Sequence, residues 1–149
     1  MKVRDVMTRQ PRCCIPDDTL ETAARRMVEC DCGALPVIGE LDRIPVGIIT
    51  DRDIVVRAVA AQQGTQHRVR DCMTTPAITV TEQTDLDECI ELLERAQIRR
   101  MIVVDDRGRC TGIVAQADVA GHTSKRRTGE LLRCVSRPST SGDPAFARS

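Results

Sequence analysis

Apolar residues recur along the chain with two periods, and the periods alternate in the same order in both halves. Leu20, Ala23, Ala24 and Met27 keep the i, i+3, i+4, i+7 spacing of one helix face, and Leu86, Cys89, Ile90 and Leu93 keep it again 66 residues on. Each pattern predicts an amphipathic helix with one buried stripe. Asp18 with Glu21 three residues later has capping-box spacing, and Thr84 stands where a cap for the second helix belongs. Behind each helix lies a short apolar run, Ala34-Leu35-Pro36-Val37-Ile38 and Met101-Ile102-Val103-Val104, which reads as a buried strand. A turn follows over residues 39–43 or 105–109, then a second run beginning Gly47-Ile48-Ile49 or Gly112-Ile113-Val114, so each half predicts a hairpin. A last helix over residues 53–63 would bury Ile54, Val55, Ala58 and Val59 and stop at Gly64.

The halves also share letters. Val3-Arg4-Asp5-Val6-Met7-Thr8 returns as Val69-Arg70-Asp71-Cys72-Met73-Thr74, identical at five of six positions. Such self-similarity decides architecture ahead of any local pattern. Each unit, a short leading segment, a helix, two strands and a helix, is too small to cover its own sheet, so the two are expected to pack face to face about a pseudo-twofold axis. The expected fold is α+β, two βαββα-type repeats, with residues 1–64 as the first, 65–123 as the second, 64–68 as the connection and 124–149 as an extension. That extension has a basic run, Lys125-Arg126-Arg127, a short helix expected over 131–135 and a polar end of disordered composition. Its net charge of +4 leaves −4 on residues 1–123, so it is able to fold back on the body.

Composition narrows the function. A chain of 149 residues, 41% hydrophobic and 30% charged, suits one compact domain or two very small ones sharing a core. Its one aromatic residue is Phe146, so stacking platforms for bases are lacking. Lys plus Arg and Asp plus Glu both number 22, so no global charge draws the protein to nucleic acid or anionic lipid. No apolar run reaches the length of a membrane span, and MKVRDVMTRQ lacks the apolar stretch of a signal peptide, so a cytoplasmic location without membrane association is expected. In that reducing compartment most of the eight cysteines read as small buried hydrophobes.

Val-Arg-Asp-Val-Met-Thr, the Leu-Pro-Val-Ile strand and Gly47-Ile48-Ile49-Thr50-Asp51-Arg52-Asp53-Ile54 together resemble a cystathionine-β-synthase (CBS) domain, and the second copy resembles another. The resemblance spans residues 1–123. It implies a tandem pair, or Bateman module, that binds an adenosine-containing ligand such as AMP, ADP, ATP or S-adenosylmethionine in clefts between the halves. It also implies a homodimer and an output passed to a protein partner, with no catalysis and no required cofactor.

The heptad Gly47 to Asp53 carries the expected chemistry. A helix beginning there presents unpaired N–H groups, the Thr50 hydroxyl can donate to a phosphate or ribose oxygen, and the Asp53 carboxylate can accept from ribose hydroxyls. Read without the family, the same two residues are a helix cap and a first-turn acid. The second copy keeps Asp118 but has Ala115 in place of the hydroxyl, so two unequal sites are expected, the weaker at Asp118. The resemblance places adenine against backbone near Cys14, Ile15 and Pro16 in one half and Ile78, Thr79 and Val80 in the other. Arg99, Arg100 and Arg52 are the candidate phosphate ligands, with Arg99 or Arg100 able to serve the Thr50/Asp53 cleft from the opposite half, and His122 is a further candidate.

Rival readings rest on thinner signals. Cys30-x-Cys32, Cys13-Cys14, His67 and His122 supply soft ligands for zinc or redox sensing, but structural zinc sites usually show Cys pairs two to four residues apart. A Cys30–Cys32 disulfide would close a very small loop and is less expected than the metal. Nucleic-acid binding has only the run 125–127 behind it, and no P-loop, nucleophile elbow, zincin or Rossmann pattern points to an enzyme.

Overall fold

The structure, a computed structural model, is described for residues 1–122; the basic run 125–127 and the helix expected over 131–135 lie outside the described residues. After a short 3₁₀ turn at Val3–Asp5 come β1 (Thr8–Arg9), α1 (Leu20–Cys30), β2 (Ala34–Ile38), β3 (Pro45–Thr50) and α2 (Asp51–Ile54), which runs into a π-helical turn at Val55–Val59. The second half follows with α3 (Val69–Cys72), β4 (Thr79–Thr81), α4 (Leu86–Ala96), β5 (Arg100–Val104), β6 (Cys110–Ala115) and α5 (Gln116–Ala120). The two predicted amphipathic helices and both hairpins are present, and the fold is α+β.

The two sheets repeat one plan. In the second half the strand order is β1-β6-β5-β4, with β4 parallel to β5 and the other pairs antiparallel. In the first half the β2-β3 hairpin is flanked by single bridges, Cys14 parallel to Val37 and Thr74 antiparallel to Ile48. Each half therefore receives the leading segment of the other. Val3 and Met7 are buried among Leu86, Ile90, Leu93, Met101 and Val114, whereas Val69 and Cys72 are buried among Leu20, Ala23, Leu35 and Ile49. The exchange needs close backbone approach, and glycine permits it twice. A Cβ on Gly47 would stand 2.7 Å from the Thr74 carbonyl oxygen, and one on Gly112 would stand 2.9 Å from that of Thr8.

Strand alternation divides the apolar runs between layers. Met101 and Val103 of β5 face their own repeat's core, while Ile102 and Val104 face the seam with Ile38 and Cys110, flanked by Cys13, Ile48 and Ala77. Being covered on both faces explains why these strands read as continuous hydrophobic runs.

Three local expectations are corrected. The cap of α1 is Thr19, whose hydroxyl accepts from the Thr22 amide at 3.1 Å; Asp18 instead accepts from the Ile15 amide and the Arg26 guanidinium, at 3.0 and 2.7 Å. At α4 the cap position falls to Asp85, whose carboxylate is held by Lys2 at 2.7 Å, and Thr84 turns back to the Thr81 amide. The helical turns after α2 end at Val59 rather than near Gly64, and Gln62, at φ 62°, supplies the left-handed reversal.

Candidate functional site

Thr50 and Asp53 cap α2 by satisfying each other. The Thr50 hydroxyl accepts from the Asp53 amide at 3.0 Å, and an Asp53 carboxylate oxygen accepts from the Thr50 amide at 3.1 Å. Both are almost wholly buried, at 1% and 2% exposure. The Thr74 hydroxyl donates to the same carboxylate at 3.3 Å, and the Arg57 guanidinium, which donates to the carbonyls of Cys72 and Met73, lends it positive charge. Burial nevertheless outweighs these contacts and lifts the Asp53 pKa above the ordinary 3.8. Sequence reasoning missed Thr74 and Arg57; the signal for Thr74 was its identity with Thr8 across the repeat.

Thr74 also lines a cleft on the seam. Its apolar walls are Ile78, Ile98 and Ile102 from the second half and Ile48 from the first, with Pro76 at its side and Arg99 and Arg100 at its edge. The space between them, counted with the open solvent at its mouth, is about 460 Å³. Arg99 is exposed and Arg100 half-buried, and neither guanidinium makes an ion pair among the described residues. The cleft thus joins an apolar slot to two cations.

Arg100 pairs with Ala115 across β5 and β6, and the Gln116 amide donates to the Arg99 carbonyl at 2.9 Å, which brings the arginines beside the start of α5. Asp118 there is only half-buried, and one of its oxygens accepts from the Ala115 amide at 2.8 Å. The equivalent corner of the first half is built differently. The Asp51 amide donates to the Gly33 carbonyl at 2.9 Å, and the Asp51 carboxylate lies 3.0 Å from where a Gly33 side chain would begin. An acid occupies the ground that arginine holds in the other repeat.

Other sequence candidates fall as follows. The bridges align Cys14 with Val80, so the first-half counterparts of Ile78, Thr79 and Val80 are Arg12, Cys13 and Cys14, two residues before the stretch expected to match. Ile15 and Pro16 lie beyond that bridge, with the Ile15 amide tied to Asp18. Arg52 is exposed on the first turn of α2. His122 is exposed beyond the C-terminal end of α5, the end opposite Ala115. Cys30 and Cys32 are joined as a disulfide, where metal binding had been the better expectation; an αL conformation at Asp31 turns the chain back between them. Among the described residues no three His, Cys, Asp or Glu side chains gather where a metal ion could be held.

Two α+β repeats exchanging their leading segments and closing a cleft on their seam define a Bateman module. The chain belongs to the CBS domain family, which matches residues 3–59 and 69–124. It is 32% identical over 136 residues to hypoxic response protein 1 of Mycobacterium tuberculosis, covering 91% of this chain and 94% of that one. A crystal structure of Hypoxic Response Protein I with two coordinated zinc ions superposes with a TM-score of 0.73 at 33% identity, over 83% of this chain and all of that one. The CBS domain pair of protein MJ0100, in complex with 5-methylthioadenosine and S-adenosyl-L-methionine, gives a TM-score of 0.73 at 27% identity, over 81% of this chain and 94% of that one. CBSX2 in complex with AMP gives 0.68 at 26%, over 80% and 93%. No helix among the described residues is long and apolar enough to cross a membrane.

Proposed function

We propose that the protein is a non-enzymatic sensor that binds one adenine nucleotide per chain in the seam cleft beside Arg99 and Arg100. The observation that carries this reading is the joining of two guanidiniums, without an ion pair among the described residues, to isoleucine walls drawn from both repeats. An adenosine phosphate has the matching halves, a flat apolar base and an anionic end. Asp118, with a carboxylate oxygen beyond its amide bond, is the group for ribose hydroxyls, and Thr74 links the cleft to Asp53. The reading reverses the ranking expected from the sequence, because Thr50 and Asp53 are buried in their own cap and Asp51 disfavours phosphate at the first-half corner. The adenosyl and AMP complexes of the two neighbours support the ligand class.

A ligand touching both repeats changes their relative angle only by its differential affinity for the two arrangements, and that change is the signal a protein partner would read. The second copy in a homodimer is proposed to cover the apolar surface of α1 and the π-helical turn, where Val28, Val55 and Val59 are 81%, 57% and 66% exposed.

Calorimetry with AMP, ADP, ATP, S-adenosylmethionine and adenosine tests the site. Each lost charge-assisted hydrogen bond is worth about 1.5–3 kcal/mol, so replacing Arg99 and Arg100 with Ala should weaken AMP by at least about tenfold and leave adenosine unchanged. Asp118→Ala should weaken both. Unchanged AMP affinity in the double arginine variant would remove the proposal.

A further inference from the structure

Cys13 and Cys110 come from different repeats and meet at the seam. Cys13 precedes the bridge that Cys14 makes to β2, and Cys110 opens β6; both belong to the apolar cluster formed by Ile38, Ile102 and Val104. The backbone already crosses between the repeats here, since the Cys110 amide donates to the Arg43 carbonyl in the first-half turn at 3.0 Å. The two side chains share that one small cluster, in which the Cys13 thiol donates to the Pro11 carbonyl at 3.3 Å and the Cys110 thiol to the Gly112 carbonyl at 3.8 Å, and the Arg43 charge favours the thiolate form of both. The influence of each thiol on the other lowers Cys110 and, together with burial, raises Cys13. Cys110, although only 3% exposed, forms part of the wall of an open groove with Arg9, Gln10 and Thr111. The other free cysteines among the described residues, Cys14, Cys72 and Cys89, are buried in the separate cores of the two repeats.

We propose that Cys13 and Cys110 are a redox modification site, closing a reversible disulfide that ties the first repeat to the second when hydrogen peroxide enters this groove. The Cys110 thiolate attacks one peroxide oxygen, the O–O bond breaks and hydroxide leaves, giving a sulfenic acid. The Cys13 sulfur then attacks the sulfenic sulfur; the S–S bond forms, the S–O bond breaks, and the departing hydroxide takes the Cys13 proton as water. Two thiols are oxidised and one peroxide is reduced to two waters. A small oxidant suits a thiol so nearly closed from solvent, and a dithiol reductant reverses the step. The inference is independent of what the seam cleft binds.

The test uses the full chain, reduced and then exposed to hydrogen peroxide in dilute solution, alkylated with N-ethylmaleimide and digested with trypsin. The expected product joins peptide 13–25, alkylated at Cys14, to peptide 110–125, two hydrogens lighter than the sum of the two so modified, within a species of monomer mass on a non-reducing gel. Dithiothreitol should abolish it, Cys14→Ser should retain it, and Cys13→Ser should lose it. Recovery of Cys13 and Cys110 both alkylated after oxidation would overturn the proposal in the wild-type chain without recourse to any variant. A link that survives Cys13→Ser and disappears in Cys14→Ser, or one confined to a dimer band, would overturn it equally.

Discussion

At the scale of single residues, Asp53 is the one buried carboxylate among the described residues. Its carboxylate accepts from the Thr50 amide and the Thr74 hydroxyl while 2% exposed, and burial is the largest influence on it, so its folded pKa lies above the ordinary 3.8. An acid whose pKa rises on folding holds more protons in the native state, so its contribution to stability is full below 3.8 and is lost as pH rises through the raised value. The stability of wild type relative to Asp53→Asn should therefore be highest in acid and decline towards neutrality, as thermal unfolding across that range would show; a difference independent of pH would contradict it. The Thr50/Asp53 pair was legible as a motif, and both readings of it, cap and ligand contact, used the same atoms. Only the burial of both residues distinguishes them, and burial belongs to the packed chain.

At the scale of elements, the helix stripes and strand runs were readable because their periods are local, whereas the caps were not. Asp18 and Thr19 are both good capping residues, and the choice between them turned on Arg26, about two helical turns further on, which claims the Asp18 carboxylate. Removing the Thr19 hydroxyl with Ala should cost about 1 kcal/mol, as for other N-caps. Asp18→Ala loses a charge-assisted bond together with an amide bond in a half-buried setting and should cost more, about 1.5 kcal/mol. Thr84→Ala, which loses an exposed contact to the Thr81 amide, should cost less, about 0.5 kcal/mol. Urea denaturation of the three variants checks the order, and equal losses would refute the assignment of the caps. The stripe after α2 failed for a related reason. Of Ile54, Val55, Ala58 and Val59 only Ala58 is fully buried, because the turn widens to a π-helix and leaves Val55 and Val59 outside.

At the scale of the whole molecule, the exchange of leading segments makes the two repeats interdependent. Gly47 and Gly112 stand where the exchanged segments cross, whereas a Cβ on Gly64 would meet nothing within 4 Å. Gly47→Ala should therefore lose about 1–3 kcal/mol through overpacking against backbone, and Gly64→Ala should be neutral or slightly stabilising. Matched denaturation curves decide this, and equal behaviour of the two variants would count against a required close approach. Valines exposed on the π-helical turn make the assembly testable as well. The wild-type chain should sediment as a dimer and Val55→Asp with Val59→Asp as a monomer in analytical ultracentrifugation; a variant that stays dimeric places the interface elsewhere.

The amino-acid order alone settled that there are two copies of one unit, because the same letters and stripes return 66 residues on, and which longer segments are helices and strands, because those periods are local. Packing decided the rest: that Val3 belongs to the second core and Val69 to the first, that Ile48 closes a cleft with Arg99 and Arg100, and that Cys13 and Cys110 share one cluster at the seam. Those pairs are far apart in the chain, and their meeting depends on the angle at which one repeat lies against the other, a quantity that no local pattern of hydrophobic and polar residues contains.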